Sequence, residues 1–206
     1  MVSIMNIFIF GDSNTWGYVP TLKAYDGNDN NTRRYRDEDM WWYPLKKYNQ
    51  LYVNALNGRT INNDHQELPY RNSIREFNNV IVDSKVDLTI IMLGTNDLKD
   101  CYGLRVDEIV DNLDKLVLLF TSVYHSKFMI ICPPYIYDTT VTKDKYTNGV
   151  EKIQEYENKL KKYCASHNYL FASAVPCEVG VDGEHLTKAG HELLGRTIFE
   201  IIKRSI

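Results

Sequence analysis

The sequence has no long hydrophobic run and no cluster of charges of one sign. Its first apolar stretch, MNIFIF, is followed at once by GDSN and falls far short of the roughly 18 residues that a membrane helix needs. The 24 basic and 27 acidic residues are spread along the chain and give a net charge of −3. This balance favours neither nucleic acid nor an anionic membrane surface as a partner. We expect a soluble protein with no membrane or nucleic-acid partner.

Signals for secretion and for metal or disulfide sites are also missing. No basic residue precedes Lys23, so the charged flank of a secretory signal is absent. The four cysteines show no CxxC spacing, which disfavours a disulfide framework or a zinc site. We interpret them as reduced structural thiols: Cys101, Cys132, Cys164 and Cys177. We therefore expect a cytoplasmic protein without a metal or other cofactor.

The pattern of apolar residues indicates an α/β fold. Short runs rich in Val, Ile and Phe alternate with longer stretches of helical period, as in a parallel sheet covered by helices. We predict one domain over residues 1–206, because this length suffices for one well-formed core. The predicted strands are 5–10, 51–56, 87–93, 128–132 and 169–172, the helices are 39–50, 72–83, 106–120, 148–167 and 193–202, and the main loops are 25–39 and 135–148.

Polar residues follow the two clearest strands. In an open α/β sheet, ligands bind beyond the carboxyl ends of the strands, so these positions are where chemistry is expected. Ser13, in the run GDSN after the first strand, would expose its hydroxyl at the sheet edge as a nucleophile. The alternative is a tight turn in which Asp12 or Ser13 caps a helix.

The run GTND follows the strand 87–93 and places an amide and a carboxylate at the same edge. Asn96 could donate a side-chain N–H to an oxyanion, or it could form a turn with Asp97 that caps the next element. We expect Asp12 and Asp97 to brace their turns rather than to act in catalysis.

Near the C-terminus, Asp182 and His185 have a DxxH spacing. With this spacing the carboxylate can accept a hydrogen bond from one imidazole nitrogen while the other nitrogen faces a nucleophile. The pair alone is weak evidence, because DxxH is a common string. The order of the three motifs and their positions after predicted strands carry the interpretation.

Taken together, the motifs resemble those of the SGNH hydrolases, also called the GDSL family. The first block of that family is matched by GDSNTWGY at 11–18, the third by GTND at 94–97 and the fifth by DGEH at 182–185, while Gly58 in LNGRT best matches the second. The segments LNGRT, IIMLGTNDLK and GVDGEHLT are especially similar to the arylesterase and acyltransferase (perhydrolase) branch. The resemblance implies a three-layer α/β/α sandwich with a mostly parallel five-stranded sheet, similar to flavodoxin.

The resemblance also implies a mechanism. Ser13 would be the nucleophile, His185 the general base and Asp182 the residue that orients the imidazole. The backbone N–H groups of Ser13 and Gly58 and the side-chain amide of Asn96 would form the oxyanion hole. The expected substrate is a small ester with a short, acetyl-like acyl group, with acyl transfer as a further activity. The branch also implies a homo-oligomer.

Four residues are candidates for the walls of the substrate pocket. Trp16 and Tyr18 follow the nucleophile, and Tyr135 lies in an aromatic loop, although core packing would explain all three equally well. Asn14 stands where Leu or Ile is common in the family and would influence substrate preference.

Several other functions remain as alternatives. Within the superfamily these are a lysophospholipase or thioesterase and a carbohydrate O-deacetylase, and outside enzymes the alternative is a degenerate ligand-binding module. A metallophosphoesterase would need DxH near the first strand and GNH after another, and neither string occurs. A dinucleotide-binding domain would need GxGxxG, whereas GDSNTWG offers only two glycines.

Overall fold

A parallel five-stranded sheet forms the centre of the computed structural model, which describes residues 4–22, 33–65 and 68–205. Within the described residues its order is β2–β1–β3–β4–β5, and all four neighbouring pairs are parallel. The predicted α/β fold with a five-stranded sheet is therefore confirmed. The strands are β1 (Asn6–Gly11), β2 (Gln50–Ala55), β3 (Leu88–Met92), β4 (Lys127–Cys132) and β5 (Leu170–Ser173).

Helices cover both faces of this sheet. Phe8 and Phe10 of β1 pack in the core that α4 and α5 complete, whereas Ile7 and Ile9 face the core that α6 completes. Successive strand residues point to opposite faces, so these alternating positions produce the predicted three layers. The helices are α1 (Ser13–Trp16), α2 (Tyr43–Lys46), α3 (Phe77–Val80), α4 (Val106–Val123), α5 (Gly149–His167) and α6 (Lys188–Ser205).

The three long helices agree with the sequence prediction, but two predicted helices are only one turn long. In the stretch 39–50 only α2 is α-helical, and Pro44 lies in its first turn, where the missing N–H costs nothing. In the stretch 72–83 only α3 forms. The backbone N–H groups of Ser73 and Ile74 donate instead to the carbonyls of Thr60 and Ile61, so they cannot join a helix.

The loop predicted over 135–148 is free of helix and strand, as expected. It matters for function because its residues reach the edge of the sheet where β1 and β3 end. Of the loop predicted over 25–39, residues 25–32 lie outside the described residues, and Asp37–Asp39 forms a single 3₁₀ turn.

The structure also shows the state of the four cysteines and the character of the helices. All four cysteines are free thiols; Cys132, Cys164 and Cys177 are buried, whereas Cys101 is exposed and has no place in the core. Within the described ranges, none of the helices combines the length and apolarity required to cross a bilayer.

Candidate active site

A small cavity lies beyond the carboxyl ends of β1 and β3. Its volume is about 70 Å³, and its walls are polar. The structure brings together in these walls all the residues predicted for the triad and the oxyanion hole, namely Ser13, Gly58, Asn96, Asp182 and His185. They come from segments far apart in the chain that meet at one edge of the sheet.

The turn after β1 fixes the position of Ser13. Asp12 caps α1, since its Oδ1 accepts a hydrogen bond from the backbone N–H of Asn14 at 3.0 Å and its carbonyl accepts one from Trp16 at 2.8 Å. Ser13 is the first residue of this short helix, at the point where the chain turns sharply away from the strand. Its hydroxyl therefore faces the cavity instead of the sheet.

His185 joins Ser13 to Asp182. Its Nε2 lies 2.8 Å from Ser13 Oγ, and its Nδ1 lies 2.9 Å from Asp182 Oδ2. The ring of Tyr18 stacks on the imidazole at a centroid distance of 4.3 Å. The carboxylate favours the tautomer with the proton on Nδ1, which leaves Nε2 free to accept the serine proton. The arrangement is that of a nucleophile, a base and an orienting acid.

The charges around His185 favour its protonated form. Burial lowers the pKa of His185, but the hydrogen bond with Asp182 and the charges of Glu184, Asp182 and Asp12 together raise it above 6.5. For Glu184, burial alone would raise the pKa. The charges of His185, Lys145 and Lys99 outweigh burial and lower this pKa to about 2, so the carboxylate is ionised at neutral pH. The imidazolium that forms during catalysis is therefore stabilised.

On the other side of the cavity, Gly58 and Asn96 present N–H groups. Gly58 has a φ of +71°, which favours glycine, and none of the described residues accepts a hydrogen bond from its backbone N–H. The Nδ2 of Asn96 donates to the carbonyl of Arg59 at 3.1 Å, and its Oδ1 accepts from Lys99 Nζ at 2.7 Å. An amide nitrogen carries two protons, so one remains for a ligand.

A buried arginine, Arg59, holds this second side together. Its Nη1 donates to the carbonyls of Gly11 and Asn54 at 3.0 and 2.7 Å, and its Nη2 donates to Asn54 Oδ1 at 2.7 Å. The guanidinium also lies 4.1 Å from the centre of the Phe10 ring. Because the Arg59 carbonyl accepts from Asn96, this one residue connects the ends of β1 and β2 to the amide.

Asp97 adds a second link between the same loops. Its Oδ1 accepts hydrogen bonds from the backbone N–H of Ile61 at 2.9 Å and from Asn63 Nδ2 at 2.8 Å. Its carboxylate therefore braces the loop after β2 and joins it to the turn after β3. Burial raises the pKa of Asp97 to about 6, against the lowering effect of these hydrogen bonds.

Of the four predicted pocket residues, Tyr18 alone lines the cavity. The prediction for Asn14 is wrong: its side chain donates to the carbonyl of Glu184 at 3.1 Å and accepts from the backbone N–H of Leu186 at 2.9 Å. With both ends of its amide bonded to backbone, Asn14 joins the nucleophile turn to the segment of the base and does not reach the substrate space.

The predictions for Trp16 and Tyr135 are also wrong. Trp16 lines a separate groove on the outside of α1, where Arg34 lies 5.8 Å from the centre of its ring. Tyr135 packs against the core beside α5 and accepts a hydrogen bond from Gln154 Nε2 at 3.3 Å. Tyr135 thus packs against the core, the alternative that the sequence had left open, whereas Trp16 borders a surface groove.

The sequence analysis missed five charged residues of the site. Three of them lie inside or next to the motifs, namely Arg59, Lys99 and Glu184. Their position beside the motifs could have identified them as residues of the site. Arg71 ends a 3₁₀ turn (Pro69–Arg71) and Lys145 lies in a loop; neither segment has a recognisable sequence pattern, so these residues carried no signal. Among the described residues, no group of three or more His, Cys, Asp and Glu side chains could hold a metal ion.

Comparison with known proteins agrees with this geometry. The family model described as GDSL-like Lipase/Acylhydrolase matches residues 7–198. No curated protein sequence matches the chain.

Solved structures of similar fold cover nearly the whole chain. A carbohydrate acetylesterase from Sinorhizobium meliloti is 24% identical with a TM-score of 0.86, and the alignment covers 98% of this chain and 100% of that one. The aryl esterase of M. smegmatis is 25% identical with a TM-score of 0.86 and the same coverage of 98% and 100%. A second carbohydrate acetylesterase family member from Sinorhizobium meliloti is 22% identical, with a TM-score of 0.83 and 98% of each chain covered.

Proposed function

This chain belongs to the GDSL-like Lipase/Acylhydrolase family and is a carboxylic ester hydrolase, and we propose that it cleaves small, short-acyl esters through an acyl-enzyme on Ser13. The observation that carries the proposal is the continuous chain of hydrogen bonds from Ser13 Oγ through His185 to Asp182, with distances of 2.8 and 2.9 Å. An isolated serine is a weak nucleophile, and this arrangement supplies the base that activates it.

The reaction has two steps. Ser13 Oγ attacks the ester carbonyl carbon while His185 Nε2 takes the hydroxyl proton, and His185 then returns that proton to the leaving alcohol as the carbon–oxygen bond breaks. Water attacks the resulting acyl-enzyme, again with His185 as the base, and releases the carboxylic acid and free Ser13. Asp182 holds the tautomer and stabilises the imidazolium throughout.

The tetrahedral intermediates carry a negative charge on the former carbonyl oxygen. We assign its stabilisation to the backbone N–H groups of Ser13 and Gly58 and to the second Nδ2 proton of Asn96. The N–H of Gly58 has no acceptor among the described residues, which supports this role. Donors held in place before the reaction act where water is excluded, so their contribution is large.

The size of the cavity supports a short acyl group. Pockets for drug-sized ligands have volumes of several hundred Å³, whereas this cavity holds about 70 Å³. Acetyl is also the acyl group in the names of the two similar Sinorhizobium meliloti proteins. Acyl transfer to alcohols would use the same acyl-enzyme, with an alcohol in place of water.

The test is hydrolysis of p-nitrophenyl acetate by the wild type and by Ser13→Ala. We expect turnover in the wild type and a loss of about 10⁴-fold or more in the variant, because Ser13 Oγ is the group that forms the acyl-enzyme in the proposed reaction. Ser122→Ala, at an exposed position of α4, is the matched control and should retain full turnover. Turnover in Ser13→Ala equal to that of the control would refute the proposal.

Three further expectations stay predictions. We propose a cytoplasmic location, which the four free thiols support. We propose a homo-oligomer, and light scattering at micromolar concentration would contradict it by finding a monomer. The single sheet in the described residues supports one domain over residues 1–206.

A further inference from the structure

Cationic side chains line the cavity close to the oxyanion hole. Of the described residues that line it, three carry cationic side chains: Arg71, Lys99 and Lys145. Two carry carboxylates, and both carboxylates are already bound within the protein. Asp182 binds the imidazole of His185, and Glu184 binds Lys145 and Tyr146.

Two of the cations contact the residues assigned to the oxyanion hole. Arg71 is only 5% exposed, and its guanidinium packs so closely on Gly58 that a Cβ there would lie 2.6 Å from Nη1. Lys99 Nζ lies 2.7 Å from Asn96 Oδ1. The absence of a side chain at Gly58 therefore makes room for a charged group beside a residue assigned to the oxyanion hole.

Burial of the Lys99 ammonium group is energetically unfavourable. Among the described residues no carboxylate forms a salt bridge with it, and its hydrogen-bond partner is a neutral amide. Burial lowers the pKa of Lys99, the charge of Glu184 raises it, and the charges of Lys145 and Arg71 lower it again. A buried cation usually has an anionic partner, because removal from water is otherwise unfavourable.

We propose that Arg71, Lys99 and Lys145 bind a carboxylate carried by the ester substrate. This proposal rests on the function proposed above and names the substrate class: small esters with a free carboxylate, on either the acyl or the alcohol part. The guanidinium binds carboxylates in a fixed planar geometry, and the two ammonium groups add charge without fixed direction. The carboxylate would supply the anionic partner that the Lys99 ammonium group lacks among the described residues.

An alternative role for the cations is to stabilise the oxyanion itself. Such a role would accelerate neutral and anionic esters alike, because every ester forms the same oxyanion. A carboxylate subsite would instead accelerate only the anionic member of a matched pair. The ratio of the two rates therefore separates the roles.

The experiment compares two pairs of esters with the purified full chain. Phenyl acetate and 4-acetoxybenzoate differ by a carboxylate on the alcohol part, and p-nitrophenyl butyrate and mono-p-nitrophenyl succinate differ by one on the acyl part. We expect kcat/KM to be about tenfold higher for the anionic ester in one of the pairs, since a charge-assisted hydrogen bond supplies an effect of that order. The pair that shows the preference identifies which part carries the carboxylate.

Variants then test the named residues. Lys145→Gln and Arg71→Gln should each reduce the ratio of anionic to neutral kcat/KM several-fold. Lys145 is the safer site, because its side chain is 31% exposed, whereas Arg71 is buried. Lys143→Gln, at an exposed position two residues away, is the matched control and should leave the ratio unchanged.

The possible failures are distinguishable. Turnover of the neutral esters without any preference for the anionic ones would overturn the carboxylate subsite while the esterase proposal stands. A preference that survives in Lys145→Gln and Arg71→Gln would overturn the assignment to these residues. If the wild type hydrolysed none of the four esters, the proposed function would fail, and this inference with it.

Discussion

The two sides of the cavity are built in different ways. On the nucleophile side, Ser13 and His185 belong to two segments that bind each other directly, since Asn14 is bonded to the backbone of Glu184 and Leu186. On the oxyanion side, the loops that carry Gly58 and Asn96 are linked by two other buried residues, Arg59 and Asp97. One side is thus held by reciprocal contacts, whereas the other depends on buried charged side chains between the loops.

The two sides also differ in charge. Carboxylates surround the imidazole, and their charges contribute to the raised pKa of His185. Cations lie against the oxyanion side, where Arg71 packs on Gly58 and Lys99 bonds Asn96. During the reaction a positive charge forms on the imidazole and a negative charge on the substrate oxygen. Fixed charges of opposite sign to each developing charge are therefore in place before the substrate arrives, and they stabilise the transition state.

Of the variants that test this comparison, Asn96→Ala should have the largest effect on kcat. Loss of one oxyanion donor typically costs about 2.7 to 4 kcal/mol, so kcat for p-nitrophenyl acetate should fall roughly a hundredfold or more. The acid limb of the pH profile should stay in place, because the base is on the other side. Near-normal turnover would remove Asn96 from the oxyanion hole.

Arg59→Met tests whether the oxyanion side depends on one residue. The change removes the hydrogen bonds that Arg59 donates to the carbonyls of Gly11 and Asn54, which should lower the free energy of unfolding by about 1 to 3 kcal/mol. We also expect kcat to fall about tenfold, because a displacement of the hole weakens transition-state binding. Chemical denaturation and steady-state kinetics measure the two effects.

The control for Arg59→Met is Arg75→Met, which removes an arginine that forms an exposed salt bridge with Asp64. Arg75→Met should change neither the free energy of unfolding nor kcat appreciably. If Arg59→Met lost stability but kept full kcat after allowance for the unfolded fraction, Arg59 would support the fold and not the hole.

The smallest effect concerns Glu184→Gln, on the nucleophile side. The charge of Glu184 raises the pKa of His185, so its removal should lower that pKa. The base then stays neutral to lower pH, and the acid limb of kcat/KM should move to lower pH. An acid limb that stays in place, or moves to higher pH, would show that Glu184 does not act on the base.

The sequence predicted the parts of the site whose signals are local. Ser13, Asn96 and His185 lie in short motifs directly after strands or before the last helix, and both the strand pattern and the motif can be recognised in a few residues. The fold followed from the same apolar runs. These predictions required no knowledge of which loops meet.

The incorrect predictions and the omissions concern contacts between distant segments. Asn14 was assigned to the pocket because it adjoins the nucleophile, but its side chain is bonded to backbone about 170 positions away. Arg71 and Lys145 reach the cavity from loops whose course depends on tertiary packing. Helix 72–83 was overpredicted for the same reason, since its first residues pair with the loop near Thr60.

The hydrogen bond between Ser13 and His185 spans 172 positions of the chain. A contact so distant in sequence carries a large entropic cost of chain closure and forms only when the intervening sheet has been assembled. Esterase activity therefore reports completed folding. On refolding from denaturant, the return of turnover should coincide with the slowest phase seen by any structural probe, and no partly folded species should be able to cleave an ester.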